Sequence, residues 1–295
     1  SGMCKTDREN YEKYWDDINP FIKFGCLKDE KFCDKMSDYI LFKNIDHDYL
    51  TLKECIEKNS PAKEVAEETP STETAEENTS DHSDNDADAK EPEKVTIYYV
   101  TDEQQQSQYI NMFKEEGLDA VLLTHNIDSP FITQLEQRNE NVQFQRIDSD
   151  LTDHFKEEVA KEEEETFKSN TETLTAIFRK ALNNEKLEVK VEKLKNENVA
   201  SMVTLSEQSR RMQEMMKMYN MYGMDAGMFG TDVTLVLNAN HPLVQYVLNN
   251  KDGEHVNLFC QQLYDLAMLS NKPLNPEEMT AFISRSNEIM MLLTK

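Results

Sequence analysis

The sequence predicts a mixed α/β and α+β chain, in which a helical segment and a small βαβαβ parallel-sheet subdomain precede an α+β unit ending in a helical bundle. Three observations carry this reading. Apolar residues recur at three- and four-residue steps near both ends of the chain. Strand-like and helix-like runs alternate between residues 95 and 147. "LEVKVEKL" (187–194) alternates apolar and charged residues, as a half-exposed strand does.

Taken in order, residues 7–58 read as helical. Tyr11, Tyr14, Trp15 and Ile18 form a stripe that Pro20 is expected to interrupt, and Phe32, Met36, Tyr39 and Ile40 resume it. Residues 62–93 hold twelve acidic residues and two lysines, no aromatic residue and Val65 as the only branched aliphatic. A segment of that composition has too little apolar surface to offset its chain entropy and reads as a disordered acidic insert. "VTIYYV" (95–100), "DAVLLT" (119–124) and "VQFQRI" (142–147) read as strands. Asp102 and Gly117 bracket one intervening helix, and Asp128-Ser129-Pro130 starts the other. That order calls for right-handed crossovers in a parallel sheet. A charged hinge (156–170) then leads to a helix from 171, to strands at 200–205 and 233–239, and to helices at 256–271 and 276–294. On the last two helices apolar residues spread over more than one face, which implies a second buried surface against another subunit.

The 295-residue chain has a formal net charge of -25 and no Lys/Arg-rich run, which argues against a nucleic-acid partner. No apolar run is long enough to span a bilayer and no signal peptide is evident, so a cytoplasmic, membrane-free protein is expected. The opening Ser1-Gly2-Met3 reads as an added lead-in to an internal start, and hence the chain as a fragment. Its five cysteines fit no disulfide framework. Zinc held by Cys26, Cys33 and Cys55 with His47 would need wider spacings than structural sites favour, so no metal site is expected.

Catalytic motifs are also missing. There is no P-loop, GxGxxG, GxSxG or HExxH, and the first strand-to-helix turn, "VTDEQQQ", puts acid where a phosphate would sit. His125 follows the second strand, where α/β ligands commonly bind, and Asp128 could orient it; a solvated loop histidine is the commoner case. His241, before Pro242, is expected to satisfy backbone groups at a helix start. Seven of the fifteen methionines fall between Met212 and Met228. On a helical wheel Met212, Met215, Met216, Tyr219 and Tyr222 share one face, while Met221 and Met224 intrude on the polar side. Two readings stay open: a core stripe, or an apolar surface that adapts to many partners.

"PFIKFGCLKDEKF" (20–32), "IYYVTDE" (97–103), "DAVLLTHNID" (119–128), "RRMQEMMKM" (210–218) and "LVLNANHPLV" (235–244) together resemble, in order and spacing, the back half of the heat-shock protein 90 family, in its bacterial branch. The resemblance implies an ATP-driven homodimeric chaperone. Residues 1–61 would be the helical end of its middle domain, 94–155 the small α/β subdomain, and 171–295 the dimerization domain. It implies that ATP and Mg are bound upstream, so that this fragment has no cofactor and no catalytic residue. Unfolded client protein would be held by Met212, Met215, Met216, Met218, Tyr219, Met221 and Met224. Phe131 lies close to a position the family uses for clients, or is ordinary packing. Subunits would meet through Phe259, Leu263, Leu266, Phe282, Ile283, Ile289 and Met290. The alternative is a purely structural dimerization module without client contact. The ending "MMLLTK" lacks the MEEVD tail, so no tetratricopeptide co-chaperone is expected through it.

Overall fold

The computed structural model describes residues 2–60, 94–149, 153–206, 211 and 233–294. The expected disordered insert at 62–93 lies wholly outside the described residues.

A short helix, α1 (Gly2–Thr6), precedes the 21-residue α2 (Arg8–Lys28), whose N-terminus is capped by the Asp7 side chain accepting from Asn10 N–H. Its inward stripe is Tyr11, Trp15, Asn19, Lys23 and Cys26. Contrary to the sequence reading, Pro20 does not interrupt it. Proline lacks the N–H that would bond the carbonyl four residues back. That carbonyl, on Asp16, instead accepts from Asn19 Nδ2 at 3.0 Å, so a neighbouring side chain replaces the missing backbone donor. The same amide also reaches the Trp15 carbonyl at 3.2 Å. Helix α3 (Glu30–Met36) follows after Asp29, whose carboxylate accepts from the N–H groups of Lys31 and Phe32.

The all-helical reading of 7–58 needs a second correction. Strands β1 (Leu41–Lys43) and β2 (Tyr49–Thr51) form an antiparallel hairpin. Its turn is held by Asn44, whose Oδ1 accepts from the N–H groups of Asp46 and Asp48, while His47 takes a left-handed φ of 67°. The cluster Asn-Ile-Asp-His-Asp is turn chemistry that helical periodicity overlooks. The hairpin also bridges the edge of the next sheet through Asn44 and Val121. Helix α4 (Leu52–Asn59) starts on a capping box of Thr51 and Glu54.

Strands β3 (Val95–Val100), β4 (Ala120–Leu122) and β5 (Val142–Arg146) form the parallel sheet expected, in the order β4-β3-β5. Helices α5 (Ser107–Glu115) and α6 (Asp128–Arg138) make the crossovers. Gly117 takes a φ of 68° just past α5, as the sequence anticipated. One sheet face packs with α6 against α2, α3 and the hairpin, around Trp15, Phe42, Tyr99, Phe131 and Phe144.

Helix α7 (Glu164–Ala181) starts inside the stretch read as a charged hinge. A second sheet follows, made of β6 (Glu188–Glu192), β7 (Ser201–Leu205) and β8 (Val233–Asn238) in the order β6-β8-β7, with β7 antiparallel. Helices α8 (Pro242–Asn249), α9 (Val256–Leu269) and α10 (Pro276–Leu292) complete the chain. Leu174, Phe178, Leu235, Val244 and Cys260 fill the core between this sheet, α7, α8 and α9.

The two sheets do not have wholly separate cores. Tyr109, Met112 and Phe113 on α5 share one cluster with Val199, Met202 and Val236 of the second sheet region. The Tyr109 hydroxyl donates to the Val203 carbonyl at 2.8 Å. Asn238, fully buried, accepts from Leu194 and Asn240 N–H and donates to the Asn196 and Val199 carbonyls, so both ends of its amide are used. His241 caps α8 as anticipated, with Nδ1 accepting from Leu243 N–H at 3.1 Å.

Two outcomes follow from these bonds. Tyr109→Phe should lower stability by about 1–2 kcal/mol in urea denaturation, because the Val203 carbonyl stays buried without its donor. Burial lowers the His241 pKa below the ordinary 6.5. The neutral-ring cap is therefore present above the unfolded-state value and is lost as pH falls through the lower folded-state value. Against a His241→Asn variant, which caps without titrating, the natural chain should lose up to about 1 kcal/mol between pH 7.5 and 5.

Candidate interaction surfaces

Helix α10 has a strong start: Asn275 and Glu278 form a capping box, Pro276 occupies the first turn, and Glu277 complements the helix dipole. What it lacks is a buried face. None of its seventeen residues is buried, although Met279, Phe282, Ile283, Ile289, Met290, Met291 and Leu292 all lie on it. Ile283 is 52% exposed and Met290 55%. Two polar contacts tie it to α9. Arg285 Nη1 reaches Asp265 Oδ2 at 2.5 Å, and Gln262 Nε2 donates to Ser286 Oγ at 2.9 Å. Two side-chain contacts orient the helix; Ile283, Met290 and Met291 stay exposed, and Met279, Phe282, Ile289 and Leu292 are only half-buried.

The sequence-derived interface residues divide accordingly. Leu266, Ile283 and Met290 are exposed, and Phe282 and Ile289 are half-buried. Phe259 is half-buried with its ring 5.1 Å from that of Tyr246, in an edge-on contact within the chain. Leu263 must be removed from the set. It is 2% exposed and packs into the core of its own sheet, because α9 turns Val256, Cys260, Leu263 and Ala267 inward at helical spacing.

Phe131 is corrected in the same direction. Its side chain is fully buried between α6, α2 and the first sheet, with Lys23 Nζ 5.7 Å from the ring centre, so in this fold it packs and presents nothing to a partner. The remaining client candidates, Met212, Met215, Met216, Met218, Tyr219, Met221 and Met224, lie outside the described residues.

The residue just before them is described, and sequence reasoning missed it. Arg211 Nη1 reaches Glu136 Oε2 at 2.6 Å, Nη2 reaches Glu136 Oε1 at 2.9 Å, and Nη2 also donates to the Phe144 carbonyl at 2.9 Å. A forked guanidinium thus ties the start of the methionine stretch to α6 and β5. No sequence signal could have paired two residues 75 positions apart.

Elsewhere the geometry favours structure over chemistry. In the β3–α5 turn, Gln106 Oε1 accepts from the N–H groups of Thr101 and Asp102, and Asp102 Oδ1 accepts from those of Gln104 and Gln105. Backbone donors of the kind that cradle a phosphate in nucleotide-binding turns are thereby taken by side-chain oxygens. Asp128 does not orient the His125 ring. Its Oδ2 accepts from the His125 backbone N–H at 2.9 Å, and its Oδ1 accepts from the buried Lys23 ammonium. Burial pushes the thiols of Cys26, Cys55 and Cys260 up to about 12, so they stay protonated at neutral pH. His47 faces Glu103 at 3.7 Å, and among the described residues no three potential metal ligands converge. Nor is any described helix long and apolar enough to cross a membrane.

The Arg211 tie and the Leu263 burial can both be measured. In a double-mutant cycle, Arg211→Met and Glu136→Gln should show a coupling of about 1–3 kcal/mol, since a forked, half-buried pair exceeds an exposed one. Leu263→Glu should unfold the second sheet unit, with loss of its cooperative transition, rather than yield a folded monomer.

A family profile described as "Hsp90 protein" matches residues 70–295. The chain is 31% identical over 262 residues to chaperone protein htpG of Bacteroides fragilis strain YCH46, covering 85% of this chain and 34% of the relative. It is 29% identical to chaperone protein HtpG of Porphyromonas gingivalis strain W83, covering 84% and 33%, and 24% identical to that of Treponema denticola, covering 98% and 41%. It thus spans about a third of the length of the first of these relatives. The profile match over most of the chain and the similarity to these relatives show that this chain belongs to the Hsp90 family of chaperones.

Proposed function

We propose that this chain is the part of a cytoplasmic, ATP-driven chaperone that clamps two subunits together and holds unfolded client protein. On this reading residues 1–61 and 94–155 end the middle domain, and 171–295 are the dimerization domain. The observation that carries the clamping half is α10, an apolar helix with no buried residue. Apolar patches of that kind on a soluble chain mark an interface. Docked on its symmetry mate, α10 with Leu266 of α9 would complete a four-helix bundle. An obligate dimer of this kind buries about 2,000 Å² or more.

The client-holding half is supported by the methionine stretch, whose soft side chains suit varied partners, and by its fixed starting point at Arg211. Phe131 does not contribute to it. ATP and Mg would act in the upstream part of the full-length protein, since the first strand-to-helix turn of this chain spends the N–H groups of Thr101, Asp102, Gln104 and Gln105 on its own side chains. This portion would therefore catalyse nothing by itself.

Two measurements test the halves separately. Light scattering at micromolar concentration should give a dimer mass, and Ile283→Glu with Met290→Glu should give a folded monomer; an unchanged mass removes α10 from the interface. Changing Met218, Met221 and Met224 to Ser should weaken capture of an unfolded model protein, with dimer mass kept and stability altered by less than about 0.5 kcal/mol. If stability falls by several kcal/mol together with capture, those residues are core, and the chain is a structural dimerization module.

A further inference from the structure

A cleft of about 260 Å³ opens between α2, the β1–β2 hairpin and the C-terminal ends of β3 and β4. Its position follows from topology. With β3 central in the order β4-β3-β5, the chain leaves β3 towards one side and later returns to the other. Open α/β sheets bind ligands outside the carboxyl ends of strands at such a reversal. The cleft wall there carries Leu122, which ends β4, Leu123 to His125, which follow it, and Glu103, which follows β3.

The opposite wall is α2, and it presents two polar groups with unused capacity. Asn19 is 5% exposed, and its Oδ1 has no hydrogen-bond partner. The amide cannot be turned round to relieve this, because its Nδ2 end faces the Trp15 and Asp16 carbonyls and compensates for Pro20. One helical turn on, Lys23 is 3% exposed and lines the same cleft. Its ammonium has three protons, and the hydrogen bond it makes is to Asp128. A buried acceptor and a buried donor thus stand side by side at i and i+4 on one helix face.

The two lysines of the cleft are already matched. Lys23 pairs with Asp128 and Lys43 with Asp16 at 2.9 Å. An anionic ligand would find no free ammonium, and the Lys23 ammonium would repel a cationic one. Trp15, Leu41 and Phe42 complete the wall with apolar surface. We propose that this cleft binds a small uncharged hydroxylated molecule, about the size of one sugar ring. One hydroxyl accepts from Lys23 and another donates to Asn19 Oδ1, while the carbon skeleton lies on the apolar wall. The site does not depend on the client-holding or clamping reading.

Trp15 is the chain's only tryptophan, so its fluorescence reports the cleft directly. Titration with glucose should give a saturable change with a midpoint of about 1 mM, as befits so small a ligand. Asn19→Leu, which removes the free acceptor, should weaken it at least about tenfold. No saturable change, an equal response from the variant, or an equal response to sodium acetate would each overturn the proposal. Should Asn19→Leu fail to fold, crystals of the natural chain soaked in glucose decide the matter. Density for one molecule bridging Asn19 and Lys23 supports the site, and separate waters at those atoms refute it.

Discussion

The joint between the two sheets depends on α5, the helix that both bury. Three-stranded sheets are near the lower limit of independent stability and need a packed face on each side. Here Tyr109, Met112 and Phe113 lie in one cluster with residues of both sheet regions, so one helix serves two sheets. The Tyr109 hydroxyl adds direction to that contact by reaching the carbonyl of Val203, on a strand at the edge of its sheet. At the rim, Lys195 pairs with Glu116 at 2.9 Å and Asn196 donates to Glu115 at 2.7 Å. A movement between the sheets would strip apolar surface and break the phenol bond together, so the joint resists small displacements.

The polar and apolar groups of this fold are distributed against the usual rule in two places. Helix α2 carries a lysine and an asparagine into the core, and α10 leaves its apolar residues outside. The first is tolerable because Asp128 neutralises Lys23, and removing one member of such a buried pair typically costs about 3–5 kcal/mol. The second has no internal compensation. Asp265–Arg285 and Gln262–Ser286 fix how α10 leans on α9, yet Ile283, Met290 and Met291 stay exposed. A polar hinge beside a bare apolar face is the arrangement of a surface made to meet another one.

Much of the architecture was legible without coordinates. The βαβαβ order, the alternating strand at 188–192 and the two closing helices follow from local periodicity, and the His241 cap from the adjoining Pro242. The failures have local causes too. Helical periodicity hid the β1–β2 hairpin because its strands are three residues each, too short to show alternation. Pro20 looks like a break in the sequence because its remedy is the side chain of Asn19, which a backbone rule does not consider.

Interfaces were less legible than elements. From periodicity alone Leu263 and Ile283 look alike, as do Phe131 and any outward aromatic in the first turn of a helix. The sequence by itself determined most of the elements outside the β1–β2 hairpin, their order, the excess of apolar surface in the last two helices and the concentration of methionine after Arg211. Tertiary structure decided which stripe faces which neighbour: Leu263 and Phe131 inward, α10 outward, Arg211 across to Glu136, Lys23 onto Asp128. The physical reason is range. A helix or strand is specified by contacts within a few residues, whereas the direction each face turns depends on partners tens of residues away, which only the folded chain brings together.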